Sequence, residues 1–293
     1  MTDLHAAAQF IAAHARLIDR RRFAVVEGDG SADNVLRALA AYRNDDGGLG
    51  HLEPDLRTPA SQPASVLYGL GILHEVGATD TSLATGALDW LQTVTHADGG
   101  VPFVLPTAQG WPHAPWYQPP DDPPSSLLMT AALAAAAHRL QLEHPWLGPA
   151  TEYCWERSDA FAAGDSPYTV RYGADFLDAV PDRARAEELL DQLAARLPAD
   201  GLLRVDAGTE GEVIRPLEVV PWPEHAGRRL YDDAVIEREL DRLAGGQQED
   251  GGWTFTWAEW NPAVAWEWRG AVTVAALRTL RAYGRLEVGA GSR

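Results

Sequence analysis

The sequence predicts an all-α protein, an (α/α)6 toroid of about six helical hairpins closed into a double ring, with residues 1–293 as one domain. Two observations carry that expectation. The first is an Asp-Gly step that recurs near every fifty residues. Gly47 follows Asp46 in "RNDDGGLG", Gly99 follows Asp98 in "THADGGVPF", Gly201 follows Asp200 in "LPADGLLR", and Gly251 follows Asp250 in "QQEDGGWTF". The gap from 99 to 201 is twice the others, as if one unit had lost its signature. Self-similarity at a fixed period marks a repeated supersecondary unit. The second is that two kinds of helical pattern bracket each step, an amphipathic one before it and, in most units, an apolar one after it.

Taken in order, the N-terminal "MTDLHAAAQFIAAHARLIDRRRF" is Ala-rich and helical. Amphipathic helices follow as "DNVLRALAAYR", "SLATGALDWLQTVT", "AEELLDQLAARL" and "DDAVIERELDRLAG". Each sets apolar residues three and four apart with charges between, so each lays one face on a core. The apolar helices are "PASVLYGLGILHEVG", "SSLLMTAALAAAAHRL" and "AVAWEWRGAVTVAALRTLRAYG". A helix apolar nearly all round belongs inside. The unit without Asp-Gly runs from "HPWLGPATEYCWERSDAF" into "YTVRYGADFLDAV", and 202–230 is the poorest match, predicting a short or distorted inner helix. An open array needs polar caps at both ends, yet one of the most apolar helices ends the chain, which favours closure.

The glycine steps themselves read as helix C-caps, with glycine supplying the left-handed conformation. A phosphate-binding loop is the wrong context, because no strand precedes any of them and neither GxGxxG nor GxxxxGK[ST] occurs.

Composition narrows the function classes. The formal net charge is -18, and all 24 basic residues are arginine. Such a surface repels phosphates, so sequence-independent binding to nucleic acid or to an anionic membrane is not expected. A lone Cys154 leaves no disulfide framework and no multi-cysteine metal site. No run approaches 18 apolar residues, so no membrane span is expected. The N-terminal arginines follow the apolar stretch, the reverse of a signal peptide, so the chain reads as cytoplasmic.

"QQEDGGW", preceded by "LDRLAG", resembles the Gln–Trp repeat of the terpene cyclase and protein prenyltransferase superfamily. Gln247 or Gln248, Gly251, Gly252 and Trp253 match that motif, whereas Leu49, Val101 and Leu202 stand where its tryptophan would be. The resemblance implies the toroid. It also implies an enzyme acting on an isoprenoid or similarly apolar substrate in an aromatic-lined central cavity, by acid-initiated cyclisation or prenyl transfer. The chain departs from the family's catalytic motifs. It has no Asp-x-Asp-Asp acid and no Asp-Asp-x-x-Asp, and Cys154 lacks the Asp-x that precedes a prenyltransferase zinc cysteine. Fold therefore does not carry function by itself.

Candidate groups concentrate in loops that enter the apolar helices. In "HLEPDLRTPASQP" (51–63), Glu53 and Asp55 are candidate catalytic carboxylates and Arg57 a substrate-binding partner. A carboxylate pair beside arginine suits a general acid or a bound cation. A surface salt bridge with Ser61 as N-cap is the structural alternative. In "WAEWNPAVAWEWRGAV" (257–272), Glu267 is a third catalytic candidate, with Trp257, Trp266 and Arg269 against the substrate. Charges in an apolar helix must be paired or face a wet cavity, and an internal ion pair fits equally well. In "QGWPHAPWYQPPDDPPSS" (109–126), Trp111, Trp116, Tyr117, Asp121 and Asp122 offer a substrate wall, with a rigid Pro-rich clamp as the alternative. "TEGEVIRP" and "RRLYDDAV" read as structure, with Asp232 and Asp233 at a helix N-terminus. No HExxH or paired histidine spacing points to zinc, and Mg2+ would enter only with a diphosphate substrate, so no cofactor is named. Two other functions stay open. One is a carbohydrate-active α/α toroid using carboxylates and tryptophan platforms. The other is a binding protein that has lost the family's catalytic groups.

Overall fold

The computed structural model describes residues 2–286, apart from Asp80, Gly164, Asp165 and Ala207. The described residues are mostly helical. The helices are α1 (Leu4–His14), α2 (Leu17–Glu27), α3 (Ala32–Ala40), α4 (Pro63–Glu75), α5 (Ser82–Val94), α6 (Leu127–Arg139), α7 (Leu147–Glu156), α8 (Asp159–Ala163), α9 (Pro167–Ala179) and α10 (Arg183–Ala194). A two-stranded antiparallel hairpin, β1 (Leu203–Arg204) with β2 (Val213–Ile214), comes next. Then come α11 (Pro216–Val219), α12 (Asp233–Ala244) and α13 (Pro262–Ala282). Among the described residues no helix is long and apolar enough to cross a membrane.

The chain divides into two compact units, residues 39–196 and residues 1–38 with 197–293. In the first, α4 and α6 are buried along most of their length, as their uniformly apolar sequences require. Helix α6 packs on α4, α7 and α9. In the second, α13 packs on α1 and α2. The core there joins Phe10, Ile11, Phe23 and Trp253 to Val274, Leu277 and Leu280. Each such side chain contributes about 1.5–3 kcal/mol by leaving water.

The Asp-Gly steps form one recurring device. Gly47, Gly99, Gly201 and Gly251 all have positive φ, between 74° and 93°. They are not helix caps: α3, α5, α10 and α12 end five to seven residues earlier, at Ala40, Val94, Ala194 and Ala244. Each glycine instead closes a separate reverse turn. Its N–H donates to the carbonyl three residues back, on Asn44, His96, Pro198 or Gln248. In three of the four, the N–H of that same residue donates onward to the carbonyl after the glycine, giving a three-residue hairpin loop with a glycine bulge. Pro198 has no N–H, so the third turn lacks the return bond.

The aspartate does the same work in all four. Asp46, Asp98, Asp200 and Asp250 each accept the backbone N–H two residues on, at 2.9–3.1 Å. Asp46 and Asp98 also accept the hydroxyls of Ser61 and Ser125, at 2.7 Å, just before α4 and α6. Ser61 therefore bolts the turn and does not cap its helix, whose N-cap is Gln62. Ser126 caps α6. In the fourth turn Arg269 replaces the serine. Helix α13 starts seven residues upstream, so its backbone N–H groups at this level are spent inside the helix. The Arg269 guanidinium donates bidentately to Asp250 at 2.7 Å and its Nε to the Trp253 carbonyl at 3.2 Å. In the third turn the partner is Arg204, at 2.7 Å.

Each turn also meets another helix. A Cβ on Gly251 would lie 2.2 Å from the Ala6 carbonyl oxygen in α1, so only glycine allows that approach. Gln247 adds two bonds of 2.7 Å to the Asp3 backbone, seating the last turn on the first helix. Trp253 donates its indole N–H to the Leu243 carbonyl and its backbone N–H to Thr273.

The weakest stretch of the repeat, 202–230, holds the β-hairpin and the single-turn α11. Pro221 and Pro223 follow α11 and cannot donate to a continuing helix, which is why it stops after one turn.

The Asp250 carboxyl is held below its usual range, first by the Arg269 hydrogen bonds. Its stabilisation is therefore complete above the unfolded carboxyl value near 4 and is lost as pH falls through the lower folded value. Asp250→Ala should cost about 1–2 kcal/mol at neutral pH in chemical denaturation. The difference between the two proteins should shrink as pH falls below the unfolded carboxyl value. A difference that stays constant throughout the acid titration would contradict the assignment.

Candidate functional site

Two loops of the 39–196 unit come together at one candidate site. The first runs from the Asp46 turn to α4. It is closed on itself by His51 N–H donating to the Thr58 carbonyl (3.0 Å) and by a positive φ at His51. Leu52 and Leu56 are fully buried, and this anchors the residues between them. Glu53 and Asp55 are carried inside with them, at only 7% and 3% exposure. A carboxyl at that depth is costly unless its environment answers it.

The second loop runs from the Asp98 turn to α6 and is built from two 3-10 turns, Pro106–Ala108 and Pro115–Tyr117. It is laced to the first by the backbone. Arg57 N–H donates to the Pro112 carbonyl (3.0 Å), Leu56 and His113 form an antiparallel bridge, and Ala114 N–H donates to the Asp55 carbonyl (2.8 Å). The turn after Ala114 delivers Tyr117, a buried side chain stacked on Phe103 with centroids 5.0 Å apart. Burial pushes the Tyr117 phenol well above its ordinary range, and the charges of Glu53, Tyr172, Asp55 and Tyr168 push the same way. The phenol thus stays neutral, within electrostatic reach of both carboxyls and of two more tyrosines.

Of the sequence candidates, Glu53, Asp55 and Tyr117 are therefore brought together. Arg57 sits beside them, half-buried. Trp111 and Trp116 lie on the same loop but face outward, 46% and 40% exposed. Asp121 and Asp122 are exposed, and Asp121 accepts from Gln109 at 2.9 Å. Tyr168 and Tyr172 are additions. They stand one helical turn apart on α9, and their i, i+4 spacing in "YTVRYG" is the signal that marks one face.

The remaining candidates lie in the other unit. Arg269 is engaged in the Asp250 turn, with its guanidinium over the rings of Phe10 and Trp266. Trp266 stacks on His14 at 4.3 Å and is 40% exposed. Trp257 stacks on Phe255 (4.6 Å) and meets Trp268 edge-on (5.1 Å). Glu267 Oε2 is 4.0 Å from Arg16 Nη1, and Arg16 in turn donates to the fully buried Asp19.

Among the described residues no three His, Cys, Asp or Glu side chains gather where a metal ion could be held. Cys154 is buried in α7, and burial raises its thiol far above the ordinary range, which leaves it unreactive.

No family model and no curated protein matches the chain. Solved structures do. The chain is similar to the type II terpene cyclase MstE from Scytonema in its apo form, with a TM-score of 0.55 and 14% identity over 97% of this chain and 98% of that one. It is also similar to a variant of MstE in complex with geranylgeranyl dihydroxybenzoate, that enzyme's substrate (TM-score 0.53, 14% identity, 97% of this chain and 88% of that one). At this identity the likeness is one of fold: the chain has a terpene cyclase-like fold.

The environment of Tyr117 makes a spectroscopic prediction. In a pH titration followed at the phenolate band, the difference between the wild type and Tyr117→Phe should show no ionisation step near pH 10. A step there would place the phenol in water and dissolve the cluster.

Proposed function

We propose that the chain is a terpene cyclase-like enzyme. It converts an isoprenoid, or a similarly apolar chain, by acid-initiated cyclisation, with Glu53 or Asp55 as proton donor. The observation that carries this reading is the burial of both carboxyls beside a neutral phenol. Burial disfavours a carboxylate, and two carboxyls in one low-dielectric loop resist ionising together. In this reading one of them serves as the acid. Glu53-Pro54-Asp55 would serve in place of the family's acidic tetrad.

The chemistry balances as an isomerisation. The carboxyl adds its proton to a terminal alkene carbon, leaving a tertiary cation. A neighbouring double bond closes on that cation, and proton loss from the cyclised cation regenerates an alkene. Aromatic faces screen the positive charge in transit, and Tyr117 with Phe103 offers one such surface next to the acid. Arg57, Trp111 and Trp116 are proposed to contact the substrate, with Asp121 and Asp122 at the outer rim. In the other unit Glu267, Trp257, Trp266 and Arg269 keep their proposed roles, Arg269 alongside its structural one. The closed double ring implied by the repeat is part of the same proposal. It is supported by the seating of the last turn on α1 and by the likeness to type II terpene cyclases.

The test is incubation with geranylgeranyl dihydroxybenzoate, geranylgeranyl diphosphate and squalene, each assayed for an isomeric product of unchanged mass. Glu53→Gln combined with Asp55→Asn should lower turnover about a hundredfold or more, the scale of a lost general acid. The double variant must be checked for native circular dichroism. Undiminished turnover in that variant would remove the acid assignment. Absence of product from every isoprenoid would remove the cyclase reading.

A further inference from the structure

We propose that Gln62 and Thr58 are positioning residues that grip the second loop at Leu105 and Thr107 and thereby set where Tyr117 lies relative to the Glu53–Asp55 pair. The inference rests on the proposed role of that pair, and it adds the device that places the phenol. Gln62 is the N-cap of α4, yet its side chain makes no cap bond. Pro63 at the first helical position removes one of the N–H groups a cap would serve. The Gln62 side chain instead crosses to residues more than forty positions later. Its Oε1 accepts from Leu105 N–H at 2.9 Å and its Nε2 donates to Thr107 Oγ1 at 2.8 Å. Gln62 is fully buried, so both ends of the amide are answered where an unanswered one would be costly.

Thr58, also fully buried, donates its hydroxyl to the Thr107 carbonyl at 3.2 Å and accepts from Ala60 N–H at 3.2 Å. Thr107 is thus held at its hydroxyl and at its carbonyl by two buried side chains of the first loop. Between Thr107 and Tyr117 the chain has only short 3-10 turns, and those have little register of their own. The three backbone links at Arg57, Leu56 and Asp55 need that register to be set. The clamp sets it at the upstream end, before the loop reaches the carboxyls.

Thr107 is exposed on its outer side, so changing it leaves the core intact. Thr107→Val keeps the shape and removes the hydroxyl, Thr107→Ser keeps the hydroxyl, and Gln62→Met removes the amide. Each is made with and without Tyr117→Phe, so that the Tyr117 titration is read as a difference. Thr107→Val and Gln62→Met should bring a phenolic step back near pH 10. They should also lower turnover of geranylgeranyl dihydroxybenzoate by about tenfold to a hundredfold, the scale of a misplaced reacting group. Thr107→Ser should behave as wild type in both. If Tyr117 stays un-ionised near pH 10 in folded Thr107→Val, or if Thr107→Ser is as damaging as Thr107→Val, the clamp is refuted. The titration needs no substrate. Lack of turnover in the wild type would therefore count against the cyclase reading alone, with the clamp still decided by Tyr117. Should Gln62→Met fail to fold, Thr107→Val decides.

Discussion

An aspartate carboxylate gripping the backbone two residues ahead of it is the interaction on which the rest of this molecule depends. Four times the chain leaves a helix, reverses over an Asp-Gly step, and must start again in a defined direction. The carboxylate fixes that direction by accepting the N–H beyond the glycine. Its remaining acceptor capacity goes to a donor near the turn or near the next apolar helix. Ser61 and Ser125 supply it where that helix starts nearby, and Arg269 where the helix starts early and only a long side chain can reach. Asp98 shows the balance: burial raises its carboxyl, while Ser125 and the Gly100 N–H bring it down further.

Because the turns are fixed, the segments that follow them can be irregular. The loop after the Asp46 turn has almost no regular structure, yet it buries Leu52, Glu53, Asp55, Leu56 and Thr58. The loop after the Asp98 turn is longer and Pro-rich, and takes its conformation from the first loop through backbone links and the Gln62 clamp. The two loops are therefore joined through their backbones, which brings the segment that holds the buried Glu53 and Asp55 against the segment that leads to the buried Tyr117. In the proposed function they act as one site, with Tyr168 and Tyr172 of α9 in electrostatic reach of the phenol.

The helices were legible in the sequence because their apolar spacing is a period-3.6 signal that packing does not override. The left-handed glycines were legible for a similar reason, since an Asp-Gly pair after a helix has few other uses. Their setting was not. A helix cap and a hairpin bulge both demand positive φ at glycine, and only the bonds from Asn44, His96 and Gln248 distinguish them. The candidate pair Glu53 and Asp55 stood out as charges ahead of an apolar helix, but their depth depends on Leu52 and Leu56 flanking them, a pattern too short to read alone. Arg269 looked equally like half of an internal ion pair or a substrate contact, and in the structure it holds Asp250 bidentately in the turn before α13, where that carboxylate is partly exposed. Tyr168 and Tyr172 were hidden because a tyrosine on an amphipathic helix is ordinary until its neighbour across space is known. The hairpin at 203–214 has two residues per strand, below the length at which alternation can be seen.

The most direct test of the central claim follows the proton itself. If a buried carboxyl starts the reaction by protonating an alkene, cyclisation of geranylgeranyl dihydroxybenzoate in heavy water should place a single deuterium on product carbon. Mass spectrometry would locate that label at the terminus where ring closure begins. Cyclised product formed in heavy water without carbon-bound deuterium would mean that the cation arises without an acid, and Glu53 and Asp55 would lose the role assigned to them.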